Sequence, residues 1–315
     1  MEDSWKIRKR PVAVCVAGLA CLLLVTPIQA DKPSADWSDP ENVGPAVNSS
    51  FDDQHPAVSP DGLSLYFVSN RLNGLGGSDI WVSHREHRSP AWGFPVNIEV
   101  LNSTASEFAP AFSPSCHVLL FGSDRAGGCG GRDLWMSVRK DKHDDFGWSA
   151  PINLGCTVNS PVFDDGPAYF DDDETGLGQL YFISNRAGGL GDRDVWLTTK
   201  NWDGTFSTPT DVKELNTAAT ESRPTIRRNG LELYFTSTRP GSVALNGVAS
   251  SDVWIAQRKS TLDACLPPVN LGVLNTSATE AAPSVSPNAR TLYFNSNRPG
   301  GYGGLDLYVT GQEEH

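Results

Sequence analysis

Short apolar runs alternate with Gly-, Asn- and Asp-rich turns along almost the whole chain, and this alternation is repeated five times. Runs such as residues 65–68 and 180–183 are apolar at every position, which is typical of strands buried on both faces. Each copy predicts four short strands, which in the first copy fall around "HPAVSPDG", "LSLYFVSN", "SDIWVSHR" and "PVNIEVLN". No stretch has convincing helical periodicity, so the pattern predicts an all-β protein.

A proline opens each copy and marks the period of the repeat. The five are Pro56, Pro110, Pro167, Pro224 and Pro283, spaced by 54, 57, 57 and 59 residues. A period of this size, made of short strands, predicts a radial array of small sheets. Residues 37–48 match the outer strand of the other copies, whereas the last copy stops after its third strand. We therefore predict a five-bladed β-propeller of four-stranded antiparallel blades whose N-terminal strand closes the last blade. An open solenoid is less favoured because no capping repeat is visible.

The shared motif, "SPDG..LYF.SNR.GG.DIW", resembles the TolB-type, or PD40, class of WD40-like propeller repeats, and the resemblance covers nearly all of the chain after residue 36. It implies an exported bacterial propeller of the periplasm or cell surface, of a kind commonly used to bind proteins or polysaccharides. Propeller folds also carry lectins, hydrolases and lyases, so the resemblance says little about activity.

The first thirty residues have the composition of an export signal. Four basic residues precede an apolar run over residues 12–28, and Ala30 ends a plausible cleavage site. We expect residues 1–30 to be a signal peptide, 31–36 a short lead-in and 37–315 a single propeller domain. The protein would then be periplasmic or secreted.

Two other readings of this segment are weaker. A retained membrane anchor is disfavoured because the strongly apolar part is short and Pro27 interrupts it, so no stable membrane span is expected after cleavage. A lipoprotein is disfavoured because "GLAC", ending at Cys21, lacks the usual leucine three residues before the cysteine.

Charge narrows the choice of partner. Without residues 1–30 the chain has 21 Lys and Arg against 35 Asp and Glu, a net charge of −14, and no basic cluster is evident in the sequence. Such a surface repels a phosphate backbone, so nucleic acid is not an expected partner. An envelope or surface protein, or a polysaccharide, is expected instead, and no cofactor is expected.

Three charged positions recur in every copy. An acid stands three residues before the proline, an arginine ends the second strand, and an aspartate opens the third. The acids are Asp53, Glu107, Asp164, Glu221 and Glu280; the arginines are Arg71, Arg125, Arg186, Arg239 and Arg298; the aspartates are Asp79, Asp133, Asp194, Asp252 and Asp306. All lie on the face that carries the Gly-rich loops. They are interpreted first as structural Arg–carboxylate pairs, and second as a ring of ligand-binding groups at the channel mouth.

Other features suggest weaker candidates. Trp202 sits at a loop tip and is a candidate for sugar stacking. The acidic turn over residues 171–174 suits Ca²⁺ by composition but lacks the spaced ligand pattern, so a solvated hairpin is favoured over a calcium site. The histidines of the opposite face have no carboxylate or cysteine placed to complete a metal site; they are His84, His87, His117 and His143.

Four cysteines follow residue 30. Eight or nine extended residues separate Cys116 from Cys129 by ~30 Å, which excludes a bridge between them. Cys129 in a Gly-rich loop and Cys156 after the outer strand lie on the same face, so the sequence predicts a Cys129–Cys156 disulfide and free thiols at Cys116 and Cys265.

The leading functional reading is a non-enzymatic exported module that binds a protein or glycan through the face of the Gly-rich loops. It follows because the blade repeats account for nearly all of the chain after residue 36. It also follows because the sequence lacks G-x-S-x-G, H-E-x-x-H and a Cys–His pair with an orienting acid. The alternative is a carbohydrate-active hydrolase or lyase that uses carboxylates at the channel mouth, since glycosidase carboxylates from distant blades leave no local motif. A purely structural envelope module is the third reading.

Overall fold

The computed structural model of this protein describes residues 37–88, 91–245 and 248–312, so the expected signal peptide and lead-in lie outside the described residues. The described chain contains five antiparallel four-stranded sheets and no helix. The sheets are the blades of a five-bladed β-propeller, which confirms the predicted fold class.

The strands follow the chain in order, with β1 (Glu41–Asn42) preceding the first blade. Blade one contains β2 (Asp53–Val58), β3 (Ser64–Ser69), β4 (Asp79–His84) and β5 (Val96–Asn97). Blade two contains β6 (Glu107–Phe112), β7 (Val118–Ser123), β8 (Asp133–Val138) and β9 (Ile152–Asn153). Blade three contains β10 (Asp164–Asp172), β11 (Leu177–Ser184), β12 (Asp194–Lys200) and β13 (Thr210–Asp211).

Blade four contains β14 (Glu221–Ile226), β15 (Glu232–Ser237), a small inserted hairpin of β16 (Ala244–Leu245) and β17 (Val248–Ala249), then β18 (Asp252–Gln257) and β19 (Val269–Asn270). Blade five contains β20 (Glu280–Val285), β21 (Thr291–Ser296) and β22 (Asp306–Gly311), with β1 as its outer strand. The second strands are almost wholly buried, which explains their unbroken apolar runs.

The ring is closed by the N-terminal strand, as the sequence predicts. Glu41 and Asn42 of β1 pair with Val309 and Tyr308 of β22. The side-chain oxygen of Asn48 accepts a hydrogen bond from the Leu307 backbone N–H at 2.8 Å, and its amide nitrogen donates to the Leu307 carbonyl at 3.0 Å. The outer edge of the last blade is therefore formed by the start of the chain.

Every innermost strand bends at its proline. In blade one the register between β2 and β3 slips between Gln54 and Ala57, because proline has no N–H to donate to the neighbouring strand. The residue before each proline has a positive φ; the angles are 53° at His55, 48° at Ala109, 60° at Gly166, 49° at Arg223 and 53° at Ala282. These five residues and the five prolines line a central channel whose cavity measures about 130 Å³.

The recurring arginine and the recurring first-strand acid form a pair in each blade, which we call the Arg–carboxylate latch. In blade three the Nη2 of Arg186 lies 2.5 Å from Asp164 Oδ1 and donates to the Val158 carbonyl at 2.7 Å. Its Nε donates to Ser184 Oγ at 2.9 Å, and its guanidinium carbon lies 5.0 Å from the centre of the Phe182 ring. Each latch thus ties the first strand to the end of the second.

The other four blades repeat this arrangement. The pairs are Arg71–Asp53, Arg125–Glu107 at 2.9 Å, Arg239–Glu221 at 3.1 Å and Arg298–Glu280 at 3.1 Å. All five acids are fully buried. The aspartates that open the third strands lie apart from the latches and accept N–H groups of the Gly-rich loops, as Asp194 does from Leu190 at 3.0 Å.

We expect Arg186→Ala to lower the free energy of unfolding by ~2–4 kcal/mol, because it leaves the Asp164 carboxylate buried without its cation. Urea unfolding followed by tryptophan fluorescence measures this loss. The matched control is Arg227→Ala, whose ion pair with Glu232 is partly exposed and should contribute no more than ~1 kcal/mol. Equal midpoints for wild type and Arg186→Ala would show that the latch is not a structural element.

Cys129 in the Gly-rich loop of blade two forms a disulfide with Cys156, at a Cα–Cα distance of 5.5 Å. Cys116 and Cys265 are free, and Cys116 is buried, where its sulfur accepts a hydrogen bond from Arg139 Nη2 at 2.9 Å. By the entropic model a disulfide that closes a loop of this length contributes ~3 kcal/mol.

In the described ranges, no helix has the length and apolar character needed to cross a membrane.

Candidate functional site at the channel mouth

The repeat loses its symmetry at the residue before each inner-strand proline, at the end of the channel cavity nearer the Gly-rich loops. The residue before the inner-strand proline is short in three blades, namely Ala109, Gly166 and Ala282. The equivalent positions of blades one and four carry His55 and Arg223, whose side chains line the cavity. Because the five positions are related by the repeat, these two large polar side chains depart from the symmetry of the scaffold.

Asp165 lies between them, at the start of the inner strand of blade three. Blade two makes room for it with Gly122, where a Cβ would lie only 2.2 Å from the Asp165 carboxylate. Oδ1 accepts the backbone N–H of Gly166 at 2.7 Å, and Oδ2 lies 2.9 Å from Arg132 Nη1 and 2.6 Å from Arg223 Nη1. Burial acts to raise the pKa of Asp165, but Arg223 and Arg132 outweigh it and lower the pKa to about 2. This carboxylate is therefore ionised at any ordinary pH.

His55 is about nine-tenths buried, with 8% of its surface exposed, and faces the same cavity. Its backbone N–H donates to Asn295 Oδ1 at 3.2 Å, and its ring meets Phe108 edge-on at 6.2 Å. Nδ1 is buried and has no hydrogen-bond partner among the described residues. Burial first, and then the positive charge of Arg223, hold the pKa of His55 well below its usual value. The imidazole is therefore neutral at pH 7.

Arg132 extends the site outward. Its Nε donates to Asp124 Oδ1 at 2.8 Å, and its guanidinium carbon lies 3.4 Å from the centre of the half-buried Phe108 ring. The Phe163 ring lies between Arg132 and Arg193, at 4.9 and 4.7 Å from their guanidinium carbons. We refer to His55, Arg132, Asp165 and Arg223 together as the channel-mouth cluster.

The cluster combines three chemical capacities in one place. A neutral imidazole with a free ring nitrogen can accept a proton from a bound molecule. Guanidinium groups can stabilise negative charge that develops on a bound molecule. Asp165 holds both arginines in position and, fully ionised, cannot itself act as a proton donor.

The ten latch residues predicted from the sequence lie near the mouth but face one another. None of them is among the described residues that line the cavity, and each acid is satisfied by its arginine and by a nearby hydroxyl. Their role as ligand contacts stays a prediction to which this geometry adds no support. Trp202 is 82% exposed in the loop between β12 and β13, on the opposite face from the cluster. Its role in sugar stacking also stays a prediction.

The acidic turn and the histidines of the opposite face are engaged in local contacts. Asp172 accepts a hydrogen bond from Thr261 at 2.7 Å, and Glu174 accepts one from Ser260 at 2.8 Å. The Nδ1 of His143 lies 3.0 Å from Asp61. Across the ranges that the structure describes, no three His, Cys, Asp or Glu side chains are grouped so that they could hold a metal ion.

Sequence reasoning missed the whole channel-mouth cluster. Aligned on the repeated proline, the residue before it reads His, Ala, Gly, Arg, Ala, and the one before that reads Gln, Phe, Asp, Ser, Ala. This loss of symmetry at two adjacent positions was the available signal. The strictly repeated acid one residue earlier is the stronger pattern, and it indicates the latches instead.

Comparison with known proteins shows similarity in fold. No protein-family model matches the chain, and no curated protein matches it in sequence. An α-L-arabinofuranosidase from Podospora anserina, solved in complex with cellotriose, superposes with a TM-score of 0.58 at 10% identity, over 88% of this chain and 97% of that one. A xylan β-1,4-xylosidase from Bacillus halodurans gives a TM-score of 0.51 at 15% identity, over 84% and 53%. TolB from Acinetobacter baumannii gives 0.45 at 16% identity, over 84% and 55%, too low a score to support an argument.

These neighbours correct the leading functional reading of the sequence. We expected a non-enzymatic binding module, but the solved structures that share this fold are mostly glycoside hydrolases. The expectation of a non-enzymatic module is therefore withdrawn. At these identities the superpositions establish the propeller fold alone, and the choice of activity depends on the site.

Proposed function

We propose that this protein is a carbohydrate-active enzyme that cleaves a glycan at the channel-mouth cluster. The observation that carries the proposal is the buried, neutral imidazole of His55, whose Nδ1 is unpaired and which faces the cavity beside Arg223 and ionised Asp165. A ring nitrogen without a partner among the described residues, at the wall of a cavity, is available to a group that enters the cavity.

The names of the structural neighbours support glycan cleavage as the activity. An arabinofuranosidase and a xylosidase use the same five-bladed scaffold, and in a propeller the axial channel is the concave site formed by all blades. A ligand in this channel would meet His55 and Arg223 together.

The residues of the cluster have different roles in this proposal. His55 takes a proton from the attacking water, because it is neutral at pH 7 and has a free ring nitrogen, and the imidazolium so formed gives that proton to the departing glycosidic oxygen. Arg223 stabilises negative charge on the substrate, and Asp165 is a positioning residue that orients both guanidinium groups. A hydrolase would ordinarily use two carboxylates ~5–9.5 Å apart. In the described part of the channel no carboxylate lines the cavity, so proton transfer falls to His55 rather than to an acid pair.

The proposal also covers the cellular compartment of the protein, the limits of its domain and the family of its repeat. We infer that residues 1–30 direct export to the periplasm or beyond, that residues 37–315 form the working domain, and that the repeat is of the TolB-like PD40 class. A polysaccharide is then the partner of the mature protein. The strongly acidic composition and the cysteine bridge suit an extracellular or periplasmic setting.

The test is incubation of the purified protein with a panel of cell-wall and plant polysaccharides, followed by chromatography and mass spectrometry of released oligosaccharides. We expect at least one polysaccharide to be cleaved, and His55→Ala to reduce the rate by ~10²–10⁴-fold, as for removal of a proton-transfer group. His87→Ala, an exposed histidine of the opposite face, is the matched control and should retain the wild-type rate. Failure to cleave any member of the panel, or an unchanged rate in His55→Ala, would refute the proposal.

A further inference from the structure

The guanidinium of Arg223 has more donors than partners. It carries five N–H groups, and the only described side chain with which it pairs is Asp165. Its Nη1 pairs with Asp165 Oδ2 at 2.6 Å, and no described residue accepts a hydrogen bond from its Nε or Nη2. A cation at the wall of a cavity, with donors left over, is a binding position for an acceptor group from outside.

Three guanidinium groups lie around this position, with three carboxylates beside them. The single carboxylate of Asp165 serves both Arg223 and Arg132. Arg193 stands close enough to act on Arg223, and its own acidic neighbour, the exposed Asp192, is 3.9 Å away. Asp124 offsets part of the charge of Arg132 from the solvent side.

We propose that the channel mouth recognises the carboxylate of an acidic sugar, so that the substrate is a glycan that contains uronate units. This inference rests on the proposed function, since it names the substrate class of the same site. The planar fork of a guanidinium matches a carboxylate with two parallel hydrogen bonds, and Arg223 lines the cavity with its Nε and Nη2 not taken by Asp165. The neutral His55 ring in the same cavity adds a nitrogen that can bind the sugar, and it carries no negative charge that would repel the carboxylate.

The same arrangement explains discrimination against neutral glycans. A neutral sugar in this position would offer no charged acceptor to the remaining N–H donors of Arg223, and sites with unpaired polar groups reject ligands that cannot pair with them. Asp165 cannot supply the missing charge, because it already serves two cations. Selectivity for acidic over neutral sugars should therefore depend mainly on Arg223.

Binding can be tested without cleavage. The purified His55→Ala protein is titrated calorimetrically with a galacturonate trisaccharide and with the same trisaccharide after carboxyl reduction, which removes the charge and keeps the sugar chain. We expect the acidic form to bind at least ~10-fold more tightly, and higher salt to weaken it, as for a charge-assisted contact. A glucuronate-substituted xylo-oligosaccharide and its reduced form serve as the second pair of probes.

Variants assign the preference to the arginines. Arg223→Gln, added to the His55→Ala protein, should remove the preference for the acidic form. Arg227→Gln is the control and should keep the preference, because Arg227 follows the same strand but pairs with Glu232 outside the cluster. Arg223→Gln alters a buried ion pair, so its effect on folding has to be separated from its effect on binding. Arg193→Gln is the second variant for this reason. Its side chain is 41% exposed, so folding should survive and the preference should fall several-fold. Circular dichroism checks the fold of each variant.

The outcomes separate the two proposals. Cleavage of neutral and acidic glycans at equal rates, or equal binding of both forms in every probe pair, overturns the uronate inference and leaves glycan cleavage intact. Absence of cleavage together with tight, Arg223-dependent binding of the acidic form overturns the enzyme and retains recognition of the carboxylate. Binding of a sulfated but not a carboxylated oligosaccharide also overturns the inference.

Discussion

Removal of residues 37–48 is expected to abolish cooperative unfolding of the propeller. Trp37 and Val47 are buried at 4% and 0% exposure, and burial of each large apolar side chain is worth ~1.5–3 kcal/mol. The deletion also removes β1 and the two hydrogen bonds between Asn48 and Leu307. Together these losses approach the ~5–15 kcal/mol by which a domain is normally stable. The newly exposed edge of β22 would also favour aggregation.

The measurement compares two truncated proteins, one that begins at residue 37 and one that begins at residue 49, by thermal circular dichroism and size-exclusion chromatography. The longer protein should melt in a single transition as a discrete species, and the shorter should aggregate or show no transition. If the shorter protein melted within a few degrees of the longer one, closure of the ring by β1 would not be what stabilises it.

Asp165→Asn is expected to destabilise the protein by ~3–5 kcal/mol, since it leaves the buried Arg223 and the partly buried Arg132 without their shared carboxylate. Because the pKa of Asp165 is depressed to about 2 in the folded state, its ionised form stabilises the fold. That contribution is complete above the ordinary pKa of an aspartate, near 4, and is lost as the pH falls toward 2. The gap between wild type and Asp165→Asn should therefore narrow between about pH 4 and pH 2.

Urea unfolding at a series of pH values measures this gap. Asp263→Asn, an exposed aspartate in the loop before β19, is the control and should change stability by no more than ~0.5 kcal/mol at any pH. Gly122→Ala offers a second approach to the same contact, since its Cβ would fall 2.2 Å from the Asp165 carboxylate and push it from its place. Equal stability of Asp165→Asn and wild type at pH 7 would mean that the two arginines do not need this carboxylate.

The scaffold could be predicted because its physics is local and repeated. Five copies of one strand pattern specify the blades, and the offset between the first and last copies specifies how the ring closes. The disulfide followed from the same reasoning, since knowing which end of a strand carries Cys129 and which carries Cys156 suffices to place them together. The strictly repeated Arg–acid pairs likewise required only the order of the strands within a blade.

The channel-mouth cluster depended on tertiary structure. His55, Arg132, Asp165 and Arg223 come from four different blades, and no local spacing links them. His55 and Arg223 reach the axis because the bulge at each proline turns the preceding residue toward it, and Asp165 and Arg132 join them through the ion pairs of Asp165. Gly122 admits the Asp165 carboxylate from a neighbouring blade, a complementarity that no single repeat can show. Their charge states also depend on the fold, because burial and neighbouring arginines keep His55 neutral and Asp165 ionised.

The chain alone thus determined the blade, the number of blades and the closure of the ring, because these follow from hydrophobic periodicity and turn chemistry within each copy. The tertiary structure decided which charged residues are paired and which face the channel. The five acids that the sequence made most conspicuous are neutralised within their own blades, while one unrepeated aspartate orders the arginines at the axis. The distances between blades determine which charged side chains are paired and which are buried, and these distances are fixed only when the ring has closed.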